Sequence, residues 1–282
     1  MKCAGDFLRR LRQEEAVWVT VQSHRGSVPR EADAWMAVFA QGQVGTIGGG
    51  HLEWQAAGEA RARLAGQPGE PTRRFALGPS LGQCCGGEVV LRFEHVGVAD
   101  LPRLGARFER ERLNLPLVAL FGGGHVGRAL AQLLADLPLQ LRWVDSRDEI
   151  FPMPLPEHVR AEHSDPVQAA VADLLPGSRV VVMSFSHAED LEVVAACLMR
   201  QRARADLPFI GLIGSKSKWA AFRHRLEARG FTPLELVQVT CPIGVPGIHG
   251  KAPEVIAVAV AAQLLLAVSS GPVMPPQPEG HP

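Results

Sequence analysis

Phe121-Gly122-Gly123-Gly124-His125-Val126-Gly127 is the stretch from which the fold is read. The apolar run Leu117 to Phe121 reads as a buried strand, and Arg128 to Leu134 continues as a helix. Gly122, Gly124 and Gly127 therefore fit G-x-G-x-x-G at a strand-to-helix turn, the context the motif requires. The first glycine permits the tight turn. The second lets backbone approach a pyrophosphate, and the third lets helix and strand pack closely. The helix N-terminus offers unpaired N–H groups to an anion. Leu139 to Val144 reads as the next strand, and Asp145 ends it, 18 residues beyond Gly127. A carboxylate at that place is where such folds contact a ribose. The pattern argues for the fold more strongly than for a nucleotide, because one fold hosts many ligands.

From Leu117 onward strands and helices alternate, which signals a parallel sheet. Strands are expected over 117–121, 139–144, 159–161, 179–183, 209–213 and 236–239, and helices over 126–136, 167–174, 188–202, 216–229 and 253–267. Upstream the pattern is α+β. A helix is expected over 7–14, strands over 17–21, 35–39, 44–47 and 89–93 and around Phe75, and a second helix over 51–64. The expected architecture is α/β: a C-terminal Rossmann-like, doubly wound parallel sheet preceded by a smaller α+β N-terminal domain. The boundaries are 1–97 for the first domain, 98–115 for a helical connector, 116–268 for the Rossmann-like domain, and 269–282 for a Pro-, Gly- and Ser-rich disordered tail. The final helix is apolar all round and is expected in the sheet face or at a subunit contact, so a homodimer is one expectation.

The chain has 282 residues, room for two ordinary domains, and 46% are hydrophobic. Lys plus Arg and Asp plus Glu number 29 each, so net charge offers no argument for nucleic acid or an anionic membrane. No apolar signal core follows Met1-Lys2-Cys3. The longest apolar stretch, Val255 to Val268, is broken by Gln263 and is short for a bilayer. The expectation is a soluble cytoplasmic protein with reduced thiols.

In a doubly wound sheet, ligands bind beyond the carboxyl ends of the strands. Four loops should gather there: Gly122–Gly127, Ser184–Asp190, Gly214–Lys218 and Cys241–Lys251. They supply backbone amides with Ser186, His187, Ser215, Lys216, Lys218, Cys241, His249 and Lys251, a set suited to an anionic, multi-group ligand. Singly, Ser186 and Ser215 read as helix caps and the lysines as solvent-facing. Gly82-Gln83-Cys84-Cys85-Gly86-Gly87 sets adjacent thiols in an approachable backbone. Soft sulfur suits a transition metal or a persulfide, and a packed pair of small apolar side chains is the competing reading. Gly48-Gly49-Gly50 before a helix is a further candidate anion cradle. His51 and Glu53 follow it, two positions apart and so pointing in different directions.

These residues resemble the XdhC/CoxI family, the xanthine dehydrogenase accessory proteins. The first part is similar through Gly26-Ser27-Val28-Pro29-Arg30, Gly45-Thr46-Ile47-Gly48-Gly49-Gly50-His51-Leu52-Glu53 and Gln83-Cys84-Cys85-Gly86-Gly87. The later part is similar through Gly122–Gly127, Ser186-His187, Ile213-Gly214-Ser215-Lys216 and Cys241-Pro242-Ile243-Gly244. The chain departs from the family pattern at Asp33 and Trp35, where a glycine and a basic residue are usual, which removes a positive charge near Arg30. The resemblance implies a chaperone that binds molybdenum cofactor, as molybdopterin or its cytosine dinucleotide form, while its terminal sulfido ligand is installed. A partner cysteine desulfurase would supply the sulfur, and a xanthine dehydrogenase-type molybdoenzyme would receive the product. Gly122, Gly124, His125, Gly127, Asp145, Ser186, His187, Ser215, Lys216, Gly48, Gly49 and Gly50 carry over as cofactor-binding candidates. Cys84, Cys85 and Cys241 carry over as thiols that approach molybdenum or transferred sulfur. Two alternatives stand beside this: an NAD(P)-dependent oxidoreductase, for which Asp145 would favour NAD, and an interaction scaffold with an empty nucleotide pocket.

Overall fold

Strand β1 (Ala16–Arg25) is buried on both faces over its first half, and two layers of helix cover it. Residues of a strand point alternately to opposite sides. Val17, Val19 and Val21 face α2 (Gly50–Leu64), meeting Leu52, Ala56 and Ala60. Trp18 joins Phe7 and Leu11 of α1 (Lys2–Leu11) and Leu104 and Phe108 of α3 (Leu101–Leu113). The other strands are β2 (Trp35–Val38), β3 (Gln43–Gly45), β4 (Thr72–Ala76) and β5 (Glu88–Val96). They pair antiparallel in the order β3-β2-β1-β5-β4. The computed structural model describes residues 2–28, 30–77, 87–152, 154–156 and 158–269. Cys84, Cys85 and the expected tail beyond 269 lie outside the described residues.

The chain divides into two compact units, residues 1–111 and 112–282. Most of α3, expected as a connector, belongs to the first unit because Leu104 and Phe108 are core residues there.

The second unit is a six-stranded, wholly parallel sheet. Its strands are β6 (Leu117–Phe121), β7 (Gln140–Asp145), β8 (Val159–His163), β9 (Arg179–Val182), β10 (Phe209–Leu212) and β11 (Val239–Thr240). The spatial order is β11-β10-β9-β6-β7-β8. The first strand is central, so the winding reverses between β6 and β9, where α/β sheets place their ligands. On one face Phe121, Val180 and Val182 pack against α5 (His187–Arg204) and α6 (Lys216–Glu227). On the other, Leu120, Trp143 and Val181 meet Leu130 and Leu134 of α4 (His125–Ala135) and Val260 and Leu264 of α8 (Pro253–Ser269). Helix α8 thus buries one side in the sheet face and leaves Val258, Leu265 and Leu266 exposed. Among the described residues no helix is long and apolar enough to cross a membrane.

Two expected elements differ in kind. Leu236 closes a short helix, α7 (Pro233–Leu236), and only Val239 and Thr240 pair as a strand. Thr232 and Glu235 form a reciprocal capping box with Pro233 at the first turn, a start signal present in the sequence. The helix expected over 167–174 is a single 3-10 turn, Val167–Val171.

Candidate functional site

The three motif glycines between β6 and α4 do different things. Gly122 has φ +121°, and a Cβ there would stand 1.9 Å from the Met183 carbonyl oxygen. Only glycine fits so close an approach of neighbouring strand ends. A Cβ on Gly127 would lie 2.1 Å from the Gly122 carbonyl oxygen, so this glycine lets the helix start against the turn. At Gly124 an added Cβ meets no atom within 4 Å. Gly124 is the N-cap of α4, with φ −66° and ψ −174°, and no side chain caps the helix. The amides of the first turn therefore have no capping side chain, and the positive end of the helix dipole lies behind them. Gly124 and His125 are exposed, while Gly122 and Gly123 are buried.

Asp145, at the end of β7, is turned inward and 1% exposed. Its Oδ2 accepts the Gly123 N–H at 2.6 Å, and its Oδ1 accepts the Arg147 backbone N–H at 2.9 Å. The Arg147 guanidinium closes a fork on the same carboxylate at 2.8 and 2.9 Å. Burial alone would raise the pKa of Asp145, but these hydrogen bonds outweigh it and hold the group below its ordinary value. Both oxygens are thus engaged inside the protein, a geometry that residue spacing does not show. The Arg147 guanidinium carbon lies 4.3 Å from the ring centre of Phe185, in the loop after β9.

Deeper along the same edge, Lys218 donates to Asp190 Oδ2 at 2.6 Å and to the Ile213 carbonyl at 2.8 Å. Asp190 Oδ1 accepts the Ser184 N–H at 2.7 Å, so this buried pair ties the ends of β9 and β10 together. Asp190 was not among the expected site residues. Its place one turn into a helix that follows a strand is the signal that points to it. Cys241 is half-buried beside this pair. Burial, reinforced by Asp190 and opposed by Lys218, pushes its thiol up to about 11. Ser184 Oγ, at the same edge, is buried without a hydrogen-bond partner among the described residues.

The remaining expected residues fall in two groups. Ser186 accepts the Glu189 N–H and Ser215 accepts the Lys218 N–H, so both hydroxyls serve as helix caps. His187 packs edge-on to Phe222, and Lys216, His249 and Lys251 are exposed. In the first unit, Gly48, Gly49 and Gly50 all have positive φ. The loop they form encloses the chain's own anion. Glu53 Oε2 accepts the Ile47 and Gly49 N–H groups at 3.0 Å each and the Thr46 hydroxyl, and its Oε1 accepts Gln43. An internal carboxylate therefore occupies the cradle expected for an external ligand. His51 turns instead to Gln55 and Trp54. Among the described residues, no group of three or more His, Cys, Asp or Glu side chains is placed to hold a metal ion.

The model of the XdhC Rossmann domain matches residues 118–264, and that of the XdhC and CoxI family matches residues 10–76. An Escherichia coli (strain K12) protein named Uncharacterized protein YqeB is 29% identical over 272 residues, covering 91% of this chain and 45% of its own length. The chain thus spans about half the length of that curated relative. A crystal structure from Bacillus halodurans, described as a xanthine dehydrogenase, superposes with a TM-score of 0.76 at 18% identity. That match covers 97% of this chain and 98% of the other, and shows a shared fold.

Proposed function

Because the chain belongs to the XdhC and CoxI family, we propose that it is an accessory protein for a xanthine dehydrogenase-type molybdoenzyme. In this reading its cargo is molybdenum cofactor, held while a cysteine desulfurase provides sulfur and then passed to the client enzyme. The observation that carries the reading is the exposed, uncapped start of α4 at Gly124, beside glycines that are packed to contact. The uncapped α4 amides suit the phosphate of molybdopterin, or the pyrophosphate of its dinucleotide form. Ser184 Oγ supplies a further unpaired donor at that edge. The residues fit the anionic end of the cargo. The dithiolene of such a cofactor already ligates its metal, so holding it asks no three-residue metal cluster of the protein.

The thiols have separable parts in this proposal. Cys241, with its pKa raised by burial, suits packing beside the cargo better than attack as a thiolate. Sulfur handling is then left to Cys84 and Cys85. The oxidoreductase alternative has less support, since the carboxylate that would take a ribose is spent on Gly123 and Arg147.

The test is oxidation of freshly purified protein, followed by measurement of released pterin fluorescence and of molybdenum. A near-stoichiometric pterin that rises with client activation, and falls in Cys84→Ala/Cys85→Ala, is expected. Protein that carries no pterin, takes none up on titration and still activates its client would leave the scaffold reading in its place.

A further inference from the structure

Arg147 and Phe185 form a stacked pair at the point where the sheet reverses direction. Phe185 is 65% exposed, although it is a large apolar ring on a short loop. The loop is held firmly. Glu189 accepts the Phe185 N–H at 3.1 Å through one oxygen and the Ser146 hydroxyl at 2.8 Å through the other, joining the loops after β9 and β7. Arg147 is fixed just as closely by the fork to Asp145, which leaves Nη1 without a hydrogen-bond partner among the described residues. The Asp145 bond to Gly123 ties the pair to the glycine turn that ends at α4.

The charge balance indicates what the pair would accept. Two carboxylates, Asp145 and Glu189, surround this one guanidinium. A phosphate gains little there. An uncharged planar ring gains dispersion and stacking from Phe185 or the guanidinium face, and a hydrogen bond from Nη1. The geometry points to a platform for an uncharged, flat heterocycle, a nucleobase or a pterin, whose phosphate lies at the α4 amides. This inference rests on the anion cradle proposed above and extends it to the other end of the ligand.

Calorimetric titration of the full chain with pyrophosphate, ADP, CDP and 6-hydroxymethylpterin phosphate separates the parts. Heterocycle-bearing probes should bind more tightly than pyrophosphate by roughly 5- to 150-fold, the range of one base stacked on an aromatic side chain. Phe185→Leu, which keeps an apolar side chain but has no ring, should erase that advantage and leave pyrophosphate binding unchanged. Phe185→Trp should retain it. A preference for CDP or ADP assigns the platform to a base, and a preference for the pterin phosphate assigns it to pterin. Equal affinity for all four probes overturns the inference, as does a Phe185→Leu protein that binds ADP like the wild type. If ADP binds in a Phe185-dependent way but pyrophosphate does not bind, the platform stands and the anion cradle falls. If no probe binds, both fall.

Discussion

Replacing the three motif glycines one at a time with alanine should separate packing from ligand binding. At Gly122 alanine meets two penalties. A φ of +121° is outside the range of L-residues, worth about 1–3 kcal/mol, and the new methyl must displace a carbonyl 1.9 Å away, worth another 1–3 kcal/mol. At Gly127 the backbone is ordinary and only the 2.1 Å overlap with the Gly122 carbonyl counts, about 1–3 kcal/mol. At Gly124 the backbone suits any residue and the methyl touches nothing. Lower chain entropy in the unfolded state favours alanine there by about 0.4–1 kcal/mol, and alanine's poor standing as an N-cap offsets this. Stability should stay within about 0.5 kcal/mol of wild type. For a unit of this size each kcal/mol moves the melting midpoint by about 2–4 °C. Differential scanning calorimetry should therefore find Gly122→Ala lower by roughly 10 °C, Gly127→Ala lower by a few degrees, and Gly124→Ala unmoved. Pyrophosphate affinity should follow a different order. Gly124→Ala should lose about 10-fold or more, since its methyl occupies the space an anion would enter. A Gly124→Ala protein that melts with Gly122→Ala, or that binds pyrophosphate like the wild type, refutes this division of labour.

Glu53→Gln should destabilise the first unit by about 2 kcal/mol, because a neutral amide replaces a carboxylate that accepts four hydrogen bonds. Burial would raise the pKa of Glu53, but hydrogen bonds from Thr46, Gly49, Ile47 and Gln43 outweigh it and lower the group. Its contribution is therefore full above the ordinary glutamate range and is lost as pH falls through the depressed value. Melts at pH 7 and pH 3 should differ less in Glu53→Gln than in the wild type. Arg200→Ala should cost about 3–5 kcal/mol in urea unfolding. It removes a buried guanidinium paired with Asp206 and bonded to the Val171, Ala172 and Leu174 carbonyls. Iodoacetamide at pH 7.5, read by peptide mass spectrometry, should label exposed Cys3 well ahead of Cys241. Cys197, fully buried with its thiol pushed up to about 12, should stay unlabelled until the chain unfolds.

Local spacing carried a good deal of this protein. The strand, glycine turn and helix around Gly122–Gly127 were legible because each glycine answers a short-range steric demand. Ser186 and Ser215 were legible as caps because a cap bonds three residues ahead. The strand expected over 236–239 was misplaced because apolar composition outweighed the capping box that starts α7. The glycine run at Gly48–Gly50 was readable as an anion-holding turn, but not as one already holding Glu53.

Residue order alone determined the two units' character: an α+β pattern before residue 100 and strand–helix alternation after Leu117. It also determined the presence of an amide-rich turn, since backbone geometry is set by neighbours in the chain. Tertiary structure alone decided which groups remain available. It turned Asp145 onto Gly123 and Arg147, paired Lys218 with Asp190, and laid Arg147 over Phe185. Those contacts depend on where successive strands end side by side, and hydrogen bonding and charge are settled only when those ends meet.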